Sequence, residues 1–254
     1  MKALTSSPLG RALIVAFLFL TRLPMPRLPD YDPRDSGRAL PLFPLVGLAI
    51  GGLLALTATA LQGHLPASVV AALVVTLWVL ITGGLHLDGL GDSADGWLAG
   101  GDTERTLEIM KDPRSGSAAV IIIGCLLLLK FSALSALIAH QNGWALCLAP
   151  VLSRAMALLL LLSTPYVSKQ GIAENFLKYA NRRHLRISVA CAWIFALVLL
   201  PLPQALILMV TVTSLFAGLR ALMVRRLGGT TGDTSGASIE ILEAAVLIAC
   251  LVSV

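Results

Sequence analysis

Seven apolar runs, near residues 42–61, 67–86, 118–139, 144–164, 186–201, 204–222 and 238–254, constrain this chain more than anything else in it. A helix that crosses a bilayer needs about 20 mostly apolar residues, because the hydrocarbon core is about 30 Å thick. Backbone N–H and C=O groups find no water there, so each run must close its hydrogen bonds as a helix. The expectation is one all-α domain over residues 1–254, a polytopic integral membrane helical bundle with about seven transmembrane helices. The run from Ala12 to Leu20 is short for a span. It is followed by "TRLPMPRLPD", with no small-residue cleavage site, so it reads as a retained interfacial or re-entrant helix and not as a signal peptide. Composition agrees: 57% of residues are hydrophobic and 13% charged, against about 25% charged in soluble domains.

The net charge of +5 does not point to nucleic acid, because the basic residues flank apolar runs as topology signals do. Lys2, Arg11, Arg22, Arg27, Arg34 and Arg38 precede the first run, and Arg105, Lys111 and Arg114 follow the second. Lys169, Lys178, Arg182, Arg183 and Arg186 follow the fourth, and Arg220, Arg225 and Arg226 adjoin the sixth. The connections 62–66, 140–143 and 202–203 carry no Lys or Arg. This alternation predicts seven spans with a cytoplasmic N-terminal segment and long polar loops that face the cytoplasm. Cys125, Cys147, Cys191 and Cys250 are scattered through apolar runs without metal-type spacing. They read as small core residues with no disulfide framework.

The stretch "GGLHLDGLGDSADGW" (83–97) gathers Asp88, Asp92 and Asp95 at the end of the second run. Their i, i+4, i+7 spacing puts all three on one helix face, where like charges repel. A divalent cation relieves that repulsion, and Mg²⁺ favours carboxylate oxygen. The glycines between them admit a close backbone or a diphosphate. His86 is a poor Mg²⁺ ligand and reads as an interfacial or hydrogen-bonding residue.

Two further polar stretches bear on the same chemistry. In "LEIMKDPRSGSAAV" (107–120), Lys111 and Arg114 are suited to phosphate, with Glu108 and Asp112 to orient them. In "RRLGGTTGDTSGASIE" (225–240), Gly229, Thr231 and Gly232 belong to a small-residue loop opening into the last run. Its backbone N–H groups beside a helix N-terminus suit an anion, although no Walker A pattern is present. Asp233 and Glu240 add acids for metal binding or proton transfer. Lys130 and Arg154 interrupt apolar runs. A lysine there is expected to snorkel, and an arginine to face the bundle interior or a cavity.

Together "FLTRLPMP" (18–26), "PLFPLVGL" (41–48), "GGLHLDGLGDSADG" (83–96), "LEIMKDPRSGSAAV" (107–120) and "GGTTGDTSGA" (228–237) resemble the cobalamin synthase family. The matches run in order along nearly the whole chain. The resemblance implies an adenosylcobinamide-GDP ribazoletransferase, a Mg²⁺-dependent inner-membrane enzyme of late cobalamin biosynthesis. Its substrates are adenosylcobinamide-GDP and α-ribazole or α-ribazole 5′-phosphate, with release of GMP. Carried onto this chain, the family motif makes Asp88, Asp92 and Asp95 the metal site. The expected catalytic residues are Asp92, Lys111, Arg114 and Asp233. The expected substrate contacts are His86, Lys111, Arg114, Arg154, Gly229, Thr231 and Gly232. The attacking group is expected to be the ribazole 5′-hydroxyl. Partners are then the two substrates and the lipid bilayer, with no nucleic acid and with self-association left open. Two alternatives stand beside this. A CDP-alcohol phosphotransferase also groups aspartates on membrane helices, but its Ala-Arg pair after the first Asp-Gly is missing here. A Mg²⁺ or other ion transporter is disfavoured because no acid is expected in the middle of a span.

Overall fold

The chain's shape turns on Gly83 and Gly84, both in the left-handed region (φ 64° and 70°). In the computed structural model, which describes residues 5–28, 30–141, 143–168 and 172–252, the two glycines break the second apolar run. Helices α4 (Ala67–Thr82) and α5 (Leu85–Leu98) meet there at 89°. Only glycine takes such angles freely. Gly84→Ala is expected to cost about 1–2 kcal/mol from the backbone alone. Gly83→Ala is expected to cost more, since its Cβ would stand 2.3 Å from Arg22 Nε. Thermal unfolding of the purified variants reads this order. The expected single span 67–86 is therefore corrected: it breaks at Gly83 and Gly84, and the aspartates ride on a second arm that turns away from the first.

Before this bend lie α1 (Pro8–Leu20), α2 (Pro33–Ala39), a 3₁₀ turn (Leu40–Leu42) and α3 (Phe43–Leu61). Pro8 stands in the first turn of α1, and the Ser7 side chain accepts from the Gly10 N–H. At 13 residues, α1 reaches about 20 Å and is too short to cross. Arg11 ties it to α2 through Asp35 at 2.8 Å.

After the bend follow α6 (Thr103–Ile109), α7 (Ser117–Ala139), α8 (Ala145–Ser163), α9 (Ile172–Lys178), α10 (Arg182–Leu199), α11 (Leu202–Leu227) and α12 (Gly232–Ala249). Pro201 caps α11, and Gly228 ends it in the left-handed region (φ 73°). Thr231 and Thr234 form a capping box at the start of α12. Among the described residues, helices and two isolated bridges are the regular structure.

Four segments are long and apolar enough to cross a membrane, 33–61, 117–139, 145–163 and 202–227, or five with the bent pair 67–98. The expected count of seven is not reached. Helix α10 opens with Arg182, Arg183 and Arg186, and α12 carries Asp233, Glu240 and Glu243, so neither meets an apolar-span criterion. Lys2 and Lys169 lie outside the described residues.

The packing centre is α8, held against α3 by small residues. A Cβ at Gly47 would meet the Pro150 carbonyl oxygen at 2.4 Å, and one at Gly51 the Leu146 oxygen at 2.5 Å. This Gly-x-x-x-Gly face lets the two backbones touch, as interfaces between membrane helices require. The core is completed by α12, whose buried residues include Glu240 and Glu243. Of the four cysteines only Cys250 is buried, while Cys125 and Cys191 are exposed on the outer faces of their helices. The expectation that all four serve as core residues fails for those two, and all four are free thiols as expected.

Candidate functional site

Helices α5 and α12 approach backbone to backbone where they carry their acids. A Cβ at Gly89 would lie 2.7 Å from the Asp233 carbonyl oxygen and 2.9 Å from its Cα. A Cβ at Gly236 would lie 3.3 Å from His86 Cα. Glycine at both positions brings Asp233, at the first turn of α12, into the field of Asp88 and Asp92. Burial, then the charges of Asp88, Asp233 and Asp95, push the Asp92 carboxyl up to about 6. Burial and the charge of Asp88 likewise raise Asp233. Four carboxylates in one field repel, which is the situation a bound cation relieves.

Asp95, the third expected metal ligand, has a structural role. Its two oxygens accept from the backbone N–H groups of Gly116 at 2.6 Å and Ala119 at 3.0 Å. It thereby caps α7 from another helix, satisfying donors that the first turn leaves unpaired. Gly116 is required there, since a Cβ would meet Asp95 Oδ1 at 2.4 Å. Asp95→Ala is expected to lower stability by about 1–2 kcal/mol, the usual worth of a helix cap. Asp95→Asn keeps one acceptor and is expected to retain most activity. Loss of turnover in Asp95→Asn with unchanged thermal stability would return Asp95 to the metal site.

Among the described residues no three His, Cys, Asp or Glu side chains stand close enough to hold a metal ion by themselves. A Mg²⁺ site does not need three, because this ion is commonly held by one or two carboxylates and substrate phosphates. The hard oxygen donors of Asp88 and Asp92 fit that pattern.

Behind the acids lies a cavity of about 250 Å³, lined by Asp88, Asp233, His86, Tyr166, Gly232, Ser235 and apolar residues of α1, α3, α8, α9 and α12. Three phenylalanines form part of its wall. The Phe19 ring lies 5.7 Å from Phe43 and 4.8 Å from Phe176, centroid to centroid. His86 is 4% exposed, and its Nδ1 is buried without a hydrogen-bond partner. Tyr166, which the sequence reading missed, follows α8 in a segment bridged to the glycine loop. Thr230 N–H donates to the Pro165 oxygen at 2.8 Å and Val167 N–H to the Thr230 oxygen at 2.9 Å.

That bridge shows what the glycine loop does. Gly229 sits against Pro165, where a Cβ would come within 2.3 Å of its oxygen, and Thr231 caps α12 through the Thr234 N–H at 3.2 Å. Both residues shape the loop, and of the expected loop contacts Gly232 alone lines the cavity. Asp233 stands in the first turn of α12, where its negative charge opposes the approach of a bare anion to the helix N-terminus.

Lys111 and Arg114 also stand apart from the cavity. Lys111 is exposed, and Arg114 grips Asp112 of its own loop through Nε at 2.9 Å and a terminal nitrogen at 2.6 Å. The Arg114 hydrogen bonds hold the Asp112 carboxyl down at about 2. Their loop is fastened to the aspartate helix through Asp95.

Arg154, Lys130, Glu240 and Glu243 form a separate, buried ionic cluster. Lys130 donates to Glu240 at 2.6 Å and to Glu243 at 2.5 Å, and Arg154 donates to Glu243. The Lys130 ammonium lies 4.5 Å from the Trp78 ring centroid. Two expectations are corrected here and one is borne out. Lys130 does not snorkel, being 3% exposed, because two carboxylates hold it inside. Arg154 does face the interior, but Glu243 and not the cavity receives it. Glu240 is an ion-pair partner and is unavailable as a metal ligand or base. Glu240 and Glu243 are central in α12, a helix that is not among the apolar spans. Both are neutralised by partners, so they form no free ion site.

The comparisons with known proteins decide the family. The model of a family described as cobalamin-5-phosphate synthase matches residues 12–251. The chain belongs to the cobalamin-5-phosphate synthase family. A Pseudomonas fluorescens protein named adenosylcobinamide-GDP ribazoletransferase is 50% identical over 240 residues, 92% of this chain and 96% of its own length. Proteins of the same name from Stutzerimonas stutzeri and Pseudomonas aeruginosa are 49% identical over 238 residues and 47% over 240. They cover 93% and 94% of this chain and 96% and 97% of their own. No solved structure matches. Members of the cobalamin-5-phosphate synthase family that lie this close over nearly the full chain leave the two alternative classes without support.

Proposed function

We infer that the chain is an adenosylcobinamide-GDP ribazoletransferase, joining adenosylcobinamide-GDP to α-ribazole or its 5′-phosphate and releasing GMP. The observation that carries this is the meeting of Asp88 and Asp233 at a cavity, with Asp92 in the field of both, in a chain about half identical to proteins of that name. The reaction forms one P–O bond to a ribazole hydroxyl and breaks the P–O–P bridge of the donor. Because the 5′-phosphate is also an acceptor and stays on its product, the 5′ oxygen cannot be the attacker. The expectation of a 5′-hydroxyl nucleophile is withdrawn in favour of a ring hydroxyl of the ribose.

Asp88 and Asp92 would hold Mg²⁺, which neutralises charge on the diphosphate and on departing GMP. Asp233, raised by burial and by Asp88, is placed at the cavity mouth to take the proton of the attacking hydroxyl. Lys111 and Arg114 are proposed to meet the guanosine phosphate from the loop that Asp95 fastens to α5. The apolar helices fit a membrane enzyme, and the distribution of Lys and Arg supports an inner-membrane protein with this site facing the cytoplasm.

The test uses purified protein in liposomes, given adenosylcobinamide-GDP and α-ribazole. GMP release is expected with Mg²⁺, to disappear with a chelator and to return when Mg²⁺ is restored. No GMP above a heat-killed control would overturn the assignment, and release insensitive to chelation would overturn the metal.

A further inference from the structure

The cavity behind Asp88 and Asp233 has a chemistry of its own. At its mouth stand two carboxylates, and its wall is apolar, with Phe19, Phe43 and Phe176 in mutual contact. His86 lines it on a side chain 4% exposed, and its Nδ1 is buried without a hydrogen-bond partner in the protein. A buried polar atom without a partner costs about 1–3 kcal/mol, so its retention in a cavity wall points to a ligand atom that completes it.

We propose that this cavity is the subsite for the heteroaromatic base of the acceptor nucleoside, with His86 Nδ1–H donating to the ring nitrogen that the glycosidic bond leaves free. The proposal rests on the ribazole-transfer reading and adds which part of which substrate enters here. A benzimidazole base is flat, apolar on both faces and carries one free hydrogen-bonding atom, which matches one unpaired nitrogen among aromatic walls. Guanine fits worse, because its several edge donors and acceptors would be left unpaired against the phenylalanines. The corrin macrocycle is excluded by size, since about 250 Å³ lies below the usual volume of a whole drug-sized ligand site, roughly 300–1,000 Å³. A base seated inward directs its ribose towards Asp88 and Asp233, where the hydroxyl must be deprotonated.

The experiment measures KM for each substrate separately, in wild type, Ala157→Trp and His86→Leu. Ala157 lines the cavity, and tryptophan there fills it. Ala157→Trp is expected to raise the KM for α-ribazole at least about tenfold, the effect of about 1.4 kcal/mol, and to leave that for adenosylcobinamide-GDP within about twofold. The second arm uses the indole counterpart of α-ribazole, in which carbon replaces the free ring nitrogen. Wild type is expected to prefer α-ribazole over it about tenfold, and His86→Leu is expected to lose that preference. Because this arm is a ratio within one protein, it survives poor insertion of Ala157→Trp. A shift in the donor's KM instead, or a preference unchanged in His86→Leu, would overturn the subsite while leaving the transferase intact. A wild-type protein that releases no GMP with either nucleoside would overturn both.

Discussion

Asp92→Asn is expected to lower turnover by about 10² or more while leaving the folded protein at least as stable as wild type. The two halves of that result come from one cause. Burial and three neighbouring carboxylates disfavour the charge on Asp92, so an amide of the same size relieves repulsion that the native fold carries. A group that is costly to the fold and kept nonetheless is the signature of a functional site. The loss of turnover follows if Asp92 helps hold the cation, because charge developing on departing GMP is then no longer countered. Initial rates of GMP release per folded molecule, over a Mg²⁺ titration, and thermal unfolding in the same detergent read both halves. A normal rate with a lowered unfolding temperature would make Asp92 a structural residue.

Much of this site was legible in the sequence, for a definable reason. The Asp88, Asp92 and Asp233 positions lie within short segments whose chemistry is local: carboxylates on one helix face, and an acid following a threonine cap. What escaped depended on partners far along the chain. Asp95 sits in the same face pattern, yet its acceptors' donors are Gly116 and Ala119, 21 and 24 residues on. Lys130 meets Glu240 and Glu243 across 110 and 113 residues, and no periodicity announces such a pairing. Tyr166 enters the site because the glycine loop is bridged to residues 165–167, a contact invisible in the string "STPYVS". The helices themselves were located well by apolar length. The break at Gly83–Gly84 was hidden because two glycines inside an apolar run do not interrupt hydropathy, although their left-handed angles turn the chain by 89°.

Breaking the buried ionic cluster should produce the largest stability loss in the molecule. Lys130, Arg154, Glu240 and Glu243 are each at most 3% exposed, and together they sum to zero charge, two cations against two anions. Glu243 is the hinge of the set, accepting from both Lys130 and Arg154. Glu243→Gln leaves a buried excess positive charge and turns an amide N–H₂ towards one of the cations. Such a break costs about 3–5 kcal/mol, a large share of a typical stability of about 5–15 kcal/mol. Lys130→Met leaves the opposite imbalance and is expected to be similarly harmful, which reverses the mild effect that snorkelling would give. The distinguishing variant is Lys130→Met with Glu240→Gln, which restores neutrality and leaves the Arg154–Glu243 pair in place. Its unfolding temperature is expected to exceed that of either single variant, with a coupling energy above about 1 kcal/mol. Its turnover per folded molecule should stay near wild type, since neither side chain lines the cavity at the acids. Additive losses would mean that the four charges are held separately by water or backbone, and that charge balance is not what keeps α7, α8 and α12 together.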